Sequence, residues 1–175
     1  MWSRTRCAIL FLILPAALAA QNTAAPKQQK PPDCSAAEHH SFDFWIGEWE
    51  VYTPKGDLAG HSRIEPLLEG CALLENWTST KFGAGKSLNY FDRRTREWKQ
   101  YWIDSSGRAQ NYTGSPKDGG MLFLDREEQP GKPAIIRRMQ FTPRGKDEVR
   151  QFIEQSTDGG KTFSVWFDGI YKRKR

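Results

Sequence analysis

Short apolar and aromatic runs alternate with turn-forming residues along most of this chain. The runs recur at a spacing of about 10–14 residues and none shows sustained helical periodicity, a pattern typical of antiparallel strands. Each run ends in residues such as Gly, Asp, Asn, Pro or Ser, which favour turns. The predicted strands cover residues 47–53, 61–67, 72–80, 87–91, 97–103, 109–114, 121–126, 135–142, 149–155 and 162–171.

The links between these strands are short, so strands adjacent in sequence are expected to pair in the sheet. About ten antiparallel strands without a crossover predict a meander, and closing it into a barrel removes the exposed edges. The predicted fold class is therefore all-β, an up-and-down β-barrel, with a β-sandwich as the alternative. Phe42, Phe44 and Trp45, just before the first strand, are predicted to cover one end of the barrel.

The N-terminal segment is predicted to lie outside the fold. Residues 1–20 combine two early arginines, a short apolar run and the small residues around Ala19 and Ala20, which is the pattern of a cleaved secretory signal peptide. An uncleaved anchor is the alternative, but the apolar run is shorter than the roughly 20 residues of a spanning helix. Residues 21–40 are predicted to be a disordered linker and residues 41–173 the barrel domain, in a periplasmic or secreted protein with no membrane span after cleavage.

Two cysteines remain after Cys7 is removed with the signal peptide. Cys34 and Cys71 form an even pair in an oxidising compartment, which predicts a disulfide. Two unpaired thiols are the alternative, because sequence does not give the distance between the residues.

The charge of the chain indicates no nucleic-acid partner. The formal net charge is +5, but Arg4 and Arg6 belong to the signal peptide and residues 172–175 are all basic. The remaining domain is close to neutral and shows no basic cluster of the kind that binds nucleic acid. The oligomeric state is left open.

Trp98, Gln100 and Trp102 share one face of the fifth predicted strand, because side chains alternate along a strand. Two indoles with an amide between them suit the wall of a small-molecule pocket. Ordinary core packing is the equal alternative. We therefore take these three residues as the first candidates for a ligand-binding site.

Several polar residues lie among apolar ones within strands. Glu75, Trp77 and Asn89 are the second candidates for the ligand site, since inward polar groups would orient a polar or amphipathic ligand. Arg138, Arg150 and Glu154 would act in the same way if they point inward. For each of the polar residues the alternative is the solvent face of a half-buried strand.

Residues 156–163 resemble an Asp-box hairpin, in which Asp158 holds the turn through backbone amides. A single copy indicates a structural hairpin and not glycosidase chemistry. No nucleophile elbow, phosphate-binding loop or dinucleotide fingerprint occurs, and His61 has no partner at metal-ligand spacing. We expect no metal and no cofactor.

The segments 42–51, 70–77, 87–90, 98–104 and 149–151, together with the Asp-box hairpin, resemble the signatures of a bacterial exported domain family of unknown function. At a further remove the chain is similar to the calycins, which include lipocalins, fatty-acid-binding proteins and nitrobindins. Gly47 and Trp49 match the Gly-x-Trp of the first lipocalin strand. That resemblance implies structural roles for both residues, a ligand inside the barrel, and Lys172 or Arg173 packed over the indole. Nitrobindins bind haem through a late histidine, and no histidine follows His61 here, so haem is not expected.

Three functions remain open at this level. The leading one is an exported protein that binds a small apolar or amphipathic molecule in the barrel. The second is an isomerase or hydrolase that uses a buried carboxylate in the same cavity, although the sequence leans away from an enzyme. The third is an envelope interaction module with a filled barrel.

Overall fold

The computed structural model describes residues 33–175, which form a closed barrel of ten antiparallel strands. Each strand pairs with its neighbours in sequence, and the first strand pairs with the last to complete the ring. The predicted up-and-down barrel is confirmed, and the sandwich alternative is wrong. The strands are β1 (Gly47–Tyr52), β2 (Leu58–Leu67), β3 (Ala72–Ser79), β4 (Ala84–Asp92), β5 (Glu97–Asp104), β6 (Ala109–Lys117), β7 (Gly120–Gln129), β8 (Lys132–Pro143), β9 (Glu148–Ser156) and β10 (Ser164–Arg173).

The two ends of the barrel differ in what covers them. The turns after β2, β4, β6 and β8 lie at the end where two short 3₁₀ helices, Ala37–His40 and Asp43–Trp45, precede β1. We call this the closed end. The turns after β1, β3, β5, β7 and β9 surround the opposite end, which we call the open end. A third 3₁₀ turn, Leu68–Gly70, links β2 to β3 at the closed end.

Aromatic side chains fill the closed end, as the sequence predicted for Phe42 and Trp45. Both are fully buried, and their rings stack with centroids 5.0 Å apart. Phe42 also meets Trp98 edge to face at 5.5 Å, and Trp45 contacts Phe141 at 4.7 Å. Burial of large rings in mutual contact is among the strongest contributions to a core.

Arg173 packs over the first strand at the closed end. Its guanidinium lies 4.2 Å from the centroid of Trp49 and donates to the carbonyl oxygens of Ile46 (3.0 Å) and Lys146 (3.1 Å). Gly47 has φ +137°, and a Cβ there would overlap the guanidinium, so only glycine fits. Of the two basic residues considered, Arg173 therefore takes this position, while Lys172 lies over Tyr52.

The predicted disulfide is present. Cys34 is bonded to Cys71, with the Cα atoms 5.1 Å apart, and joins the start of the described chain to the turn before β3. The bond closes 37 residues, which is worth about 4 kcal/mol in the chain-entropy model.

The boundary of the predicted linker differs in the structure. Residues 37–40 form a 3₁₀ helix, and His39 is buried with its ring 5.2 Å from that of Phe91. The disulfide and these contacts fix the last part of the segment to the barrel, so the folded domain begins before residue 41. The predicted signal peptide (1–20) and residues 21–32 of the predicted linker lie outside the described residues. Within residues 33–175 no helix has the length and apolar character to cross a membrane.

Alternation along the strands separates the inner from the outer face. Arg150 pairs with Asp168 (2.7 Å) and Arg138 with Glu154 (3.3 Å), on the face opposite to the buried residues of β8 and β9. These three candidates of the sequence therefore lie outside the barrel.

The hairpin between β9 and β10 lies at the open end. Asp158 accepts hydrogen bonds from the Thr162 hydroxyl (2.6 Å) and the Lys161 amide (2.9 Å), so it fixes the turn. Hydrogen bonds from the hydroxyls of Thr162 and Ser156 hold the pKa of Asp158 well below its usual range.

Candidate functional site

A cavity of about 700 Å³ occupies the open half of the barrel. Most of its wall is apolar, and polar side chains lie both at its mouth and at its inner end. A volume of this size holds a small organic molecule. The apolar wall includes Leu58, Trp77, Trp102, Met139, Ile153 and Phe167. The polar lining includes Glu75, Gln100, Gln110, Tyr112, Gln151 and Tyr171.

Two tryptophans on neighbouring parts of the sheet form one side of this cavity. Trp77 on β3 lies against Gly60, and Trp102 on β5 lies against Gly85. A Cβ at either glycine would overlap the indole, so the glycines allow the rings to approach the sheet closely. The space in front of the rings is thereby left free.

Glu75 is the buried carboxyl group at the inner end of the cavity. It is only 3% exposed, and its two oxygens accept hydrogen bonds from the hydroxyls of Ser62 and Ser87, both at 2.9 Å. Burial raises its pKa to about 7, against the opposing effect of its contacts with the hydroxyls of Ser87, Ser62 and Tyr171. Near pH 7 this buried carboxyl group is therefore only partly ionised.

Two chains of hydrogen bonds extend from this carboxyl group. On one side Asn89 donates to Ser87 (2.9 Å), and Gln100 donates to the Asn89 side-chain oxygen (2.7 Å). On the other side the Tyr171 hydroxyl contacts Glu75 and donates to Gln151 at 2.7 Å. Buried polar groups that satisfy one another in this way hold fixed positions.

Tyr112 differs from these residues because its buried hydroxyl has no hydrogen-bond partner among the described residues. The side chain is 3% exposed and lines the cavity. Burial raises the pKa of this hydroxyl far above its usual range, so it stays protonated. A buried hydroxyl without a partner is costly, and a ligand group that reaches it from the cavity and forms a hydrogen bond would remove that cost.

A second cavity of about 440 Å³ lies beside Arg137 on β8. The guanidinium donates to Asp125, to Glu127 (2.8 Å) and to Gln155 (2.9 Å), and lies 5.5 Å from the centroid of Trp166. The cation is therefore held by two carboxylates on β7 and is not free.

The structure brings together four of the six predicted ligand-site residues in the cavity wall: Glu75, Trp77, Gln100 and Trp102. Asn89 lies behind Gln100 as its hydrogen-bond partner. Trp98 does not line the cavity but belongs to the aromatic core, where its indole N–H reaches the Ser41 hydroxyl (2.8 Å). Trp98 lies two residues before Gln100 on β5, a distance of about 7 Å along the strand. That distance separates the cavity wall from the filled half of the barrel.

Several site residues were missed by the sequence reading. The side chains of Gln110 and Tyr112 are on the buried face of β6. Gln151 is on the buried face of β9, together with Val149 and Ile153. The period-two alternation in β9 was a usable signal for Gln151. Tyr171 and Arg137 carried no such signal, because neighbouring strand residues are also large or charged.

The described residues contain no group of three His, Cys, Asp or Glu side chains placed to hold a metal ion. The chain matches no protein-family model and no curated protein. The class is therefore defined by the structure itself: a closed, ten-stranded antiparallel barrel with one filled and one hollow half.

Proposed function

We propose that this barrel binds a small apolar or amphipathic molecule in the cavity at its open end. The observation that carries the proposal is the combination of a cavity of about 700 Å³ with a buried, unpartnered hydroxyl on Tyr112, a residue of its wall. Pockets for small ligands are mostly apolar with a few polar groups that orient the ligand, and this cavity has that composition.

The arrangement of the lining gives the ligand a direction. The apolar part of the molecule lies between Trp77, Trp102 and Phe167, whose rings form the wall nearer the open end. Its polar end reaches the Tyr112 hydroxyl and the buried carboxyl group of Glu75. Burial of apolar ligand surface supplies most of the affinity, and the polar contacts select among ligands.

The same proposal includes that the protein is exported and that its barrel is calycin-like. The Cys34–Cys71 disulfide fits an oxidising compartment. The contact of Arg173 with Trp49, beside Gly47, supports the resemblance to the first lipocalin strand.

Direct binding of a neutral fluorescent probe tests the binding function. N-phenyl-1-naphthylamine is titrated into the protein, and Trp102→Ala is compared with Tyr101→Ala. The two residues are adjacent on β5, but Trp102 lines the cavity while Tyr101 is 46% exposed on the outer face. We expect Trp102→Ala to weaken probe binding about tenfold or more, because it removes apolar contact area, and Tyr101→Ala to leave it within about twofold. Equal effects of the two changes, or no binding to the wild type, would contradict the proposal.

A second candidate function is supported by Glu75 alone. A carboxyl group with its pKa near 7 beside a cavity is suited to general acid–base catalysis, and an isomerase or hydrolase would use it in that way. The expected signature is a rate with an inflection near pH 7 that is lost in Glu75→Gln while probe binding remains. Exchange of deuterium into ketones and hydrolysis of nitrophenyl esters are the assays. The third function, a filled interaction module, is not supported, because the barrel is half hollow.

A further inference from the structure

The charges inside the open half of the barrel are predominantly negative. Glu75 and Glu127 line the cavities, and Asp125 is buried beside Arg137, which carries the one buried guanidinium among the described inward-facing residues. A cavity that is lined in this way distinguishes between ligands by the sign of their polar end.

Arg137 is not available as an anion site. Its three nitrogen atoms donate to Asp125, Glu127 and Gln155, and its side chain is only 7% exposed. An anionic ligand would have to displace two carboxylates from the guanidinium. Removing one partner from a buried ion pair is strongly unfavourable, so a carboxylate-ended ligand gains little here.

Glu75, in contrast, faces the cavity without a cationic partner among the residues that pack against it. The groups around it are Ser62 on β2, Ser87 on β4 and Tyr171 on β10, and only the tyrosine titrates. The pKa of Tyr171 is raised well above 10 by burial, so it does not change charge near neutral pH. An ionised carboxylate has about four acceptor positions, more than the two serine hydroxyls occupy.

Tyr112 supplies a second, independent feature. Its hydroxyl oxygen has no partner among the described residues and can accept a hydrogen bond from a ligand N–H. Gln100 in the same wall donates through its side-chain nitrogen to Asn89, which leaves its side-chain oxygen as a further acceptor. Acceptors therefore surround the inner end of the cavity, and an ammonium group carries three donors and no acceptor.

From this arrangement we infer that the cavity selects a hydrophobic amine, bound with its ammonium group toward Glu75 and Tyr112 and its apolar part along Trp77 and Trp102. The inference deepens the proposed binding function and rests on it. Proton loss from Glu75 upon binding pairs the two charges within the barrel. An uncharged ligand of the same shape keeps the apolar contacts but gains no ion pair, and a carboxylate adds repulsion from Glu75.

The rim of the cavity does not reverse this preference. Arg108 is paired with Asp104 (3.0 Å), so this cation is neutralised. Lys81 and Asp57 also line the mouth and have opposite charges. The selection is therefore made at the inner end.

Three ligands with the same chain test the inference: dodecylamine, dodecanol and dodecanoate, each as a competitor of N-phenyl-1-naphthylamine below its micelle concentration. At pH 8 we expect the amine to bind about tenfold or more tightly than the alcohol, and the carboxylate to bind most weakly. At pH 5.5 Glu75 is protonated, and the advantage of the amine over the alcohol shrinks about tenfold, although the amine itself stays charged.

Glu75→Gln is the matched variant, with Glu154→Gln as its control. The control removes the Glu154 carboxylate, which lies on the outer face and pairs with Arg138. It therefore changes the net charge by the same amount as Glu75→Gln. We expect the amine advantage to disappear in the first and to persist in the second. The pH dependence of the wild type gives the same information without any variant.

The outcomes separate the two proposals. If dodecanol binds as tightly as dodecylamine, or if Glu75→Gln keeps the preference, the inference is wrong and the binding function stands. If dodecanoate binds best, the inference is wrong and Arg137 becomes the anchor of the polar end. If neither the probe nor any of the three competitors binds, the proposed function itself fails.

Discussion

The closed and open halves of this barrel are built from the same ten strands, yet one is filled and the other is hollow. In the closed half Phe42, Trp45, Trp98 and Phe141 fill the space between the strands with rings in mutual contact. In the open half the inward positions carry polar side chains, smaller apolar ones such as Met139 and Ile153, and indoles that lie against glycines. The difference shows that the fold is stabilised mainly at one end, which leaves the other end free to bind a ligand.

β5 contains this comparison within a single strand. Trp98 and Trp102 both point inward, but the first is 1% exposed in the core and the second forms a wall of the cavity. The two halves can therefore be compared with the same kind of substitution. We expect Trp98→Ala to lower stability more than Trp102→Ala, and Trp102→Ala to weaken ligand binding more than Trp98→Ala.

The largest effect is expected from Trp98→Ala. Removing a fully packed indole lowers the free energy of unfolding by about 3–5 kcal/mol, because the aromatic neighbours cannot fill the space. Trp102→Ala costs less than about 2 kcal/mol, since its ring already faces empty volume. Urea unfolding followed by circular dichroism measures both. Equal losses would show that the two halves contribute alike.

The disulfide gives the next largest effect, again at the closed end. Replacing Cys34 and Cys71 together with serine is expected to lower the free energy of unfolding by about 3–4 kcal/mol. Probe binding at the open end should stay within about twofold, because the bond is remote from the cavity lining. The control is the reducing agent dithiothreitol, which should destabilise the wild type and leave the double variant unchanged. An unchanged unfolding midpoint on reduction would contradict this prediction.

A pH titration of stability tests the polar inner end of the open half. The pKa of Glu75 is raised from an ordinary 4.5 to about 7 in the folded protein, which therefore retains a proton that the unfolded chain releases. The free energy of unfolding contributed by this group is highest below pH 4.5, falls by about 3 kcal/mol as the pH rises to 7, and is level above it. Glu75→Gln lacks this loss, so the difference between variant and wild type should appear only as the pH rises. A constant difference from pH 4 to pH 8 would contradict the assignment.

The smallest effect is expected from the two buried tyrosines of the cavity. Tyr112→Phe removes a hydroxyl without a partner and should raise the stability of the ligand-free protein by about 1 kcal/mol. Tyr171→Phe removes the hydroxyl that donates to Gln151, and should lower stability by about 1–3 kcal/mol. The same unfolding experiment ranks them, and a destabilised Tyr112→Phe would show that its hydroxyl has a partner in solution.

The fold was predictable from the sequence because alternation and short links are local properties. Runs of period two with turn residues between them define both the strands and their order, and the confirmed Cys34–Cys71 pairing followed from cysteine parity. The end of the linker was harder to predict from the sequence, because the burial of His39 depends on contacts with β4, far along the chain.

The candidate site was predictable only in part. The face of β5 was clear, but the depth of each residue along the barrel axis depends on how the strands are staggered, and this placed Trp98 in the core and Trp102 at the cavity. For Glu75 the sequence left the inner and outer faces open, because a charged strand residue is more often outside. The missing partner of Tyr112 is a property of the assembled interior and has no local signal.

The contact of Arg173 with Trp49 has a consequence for the order of folding. All other strand pairings join neighbours in sequence and can form as local hairpins, whereas β1 and β10 pair over only four residue positions separated by more than 100 residues. Closing a loop of that length costs about 4 kcal/mol of chain entropy, so this pairing is expected to form last. Until Arg173 reaches the indole, the chain is a curled sheet with two free edges, and those edges are where one copy would pair with another.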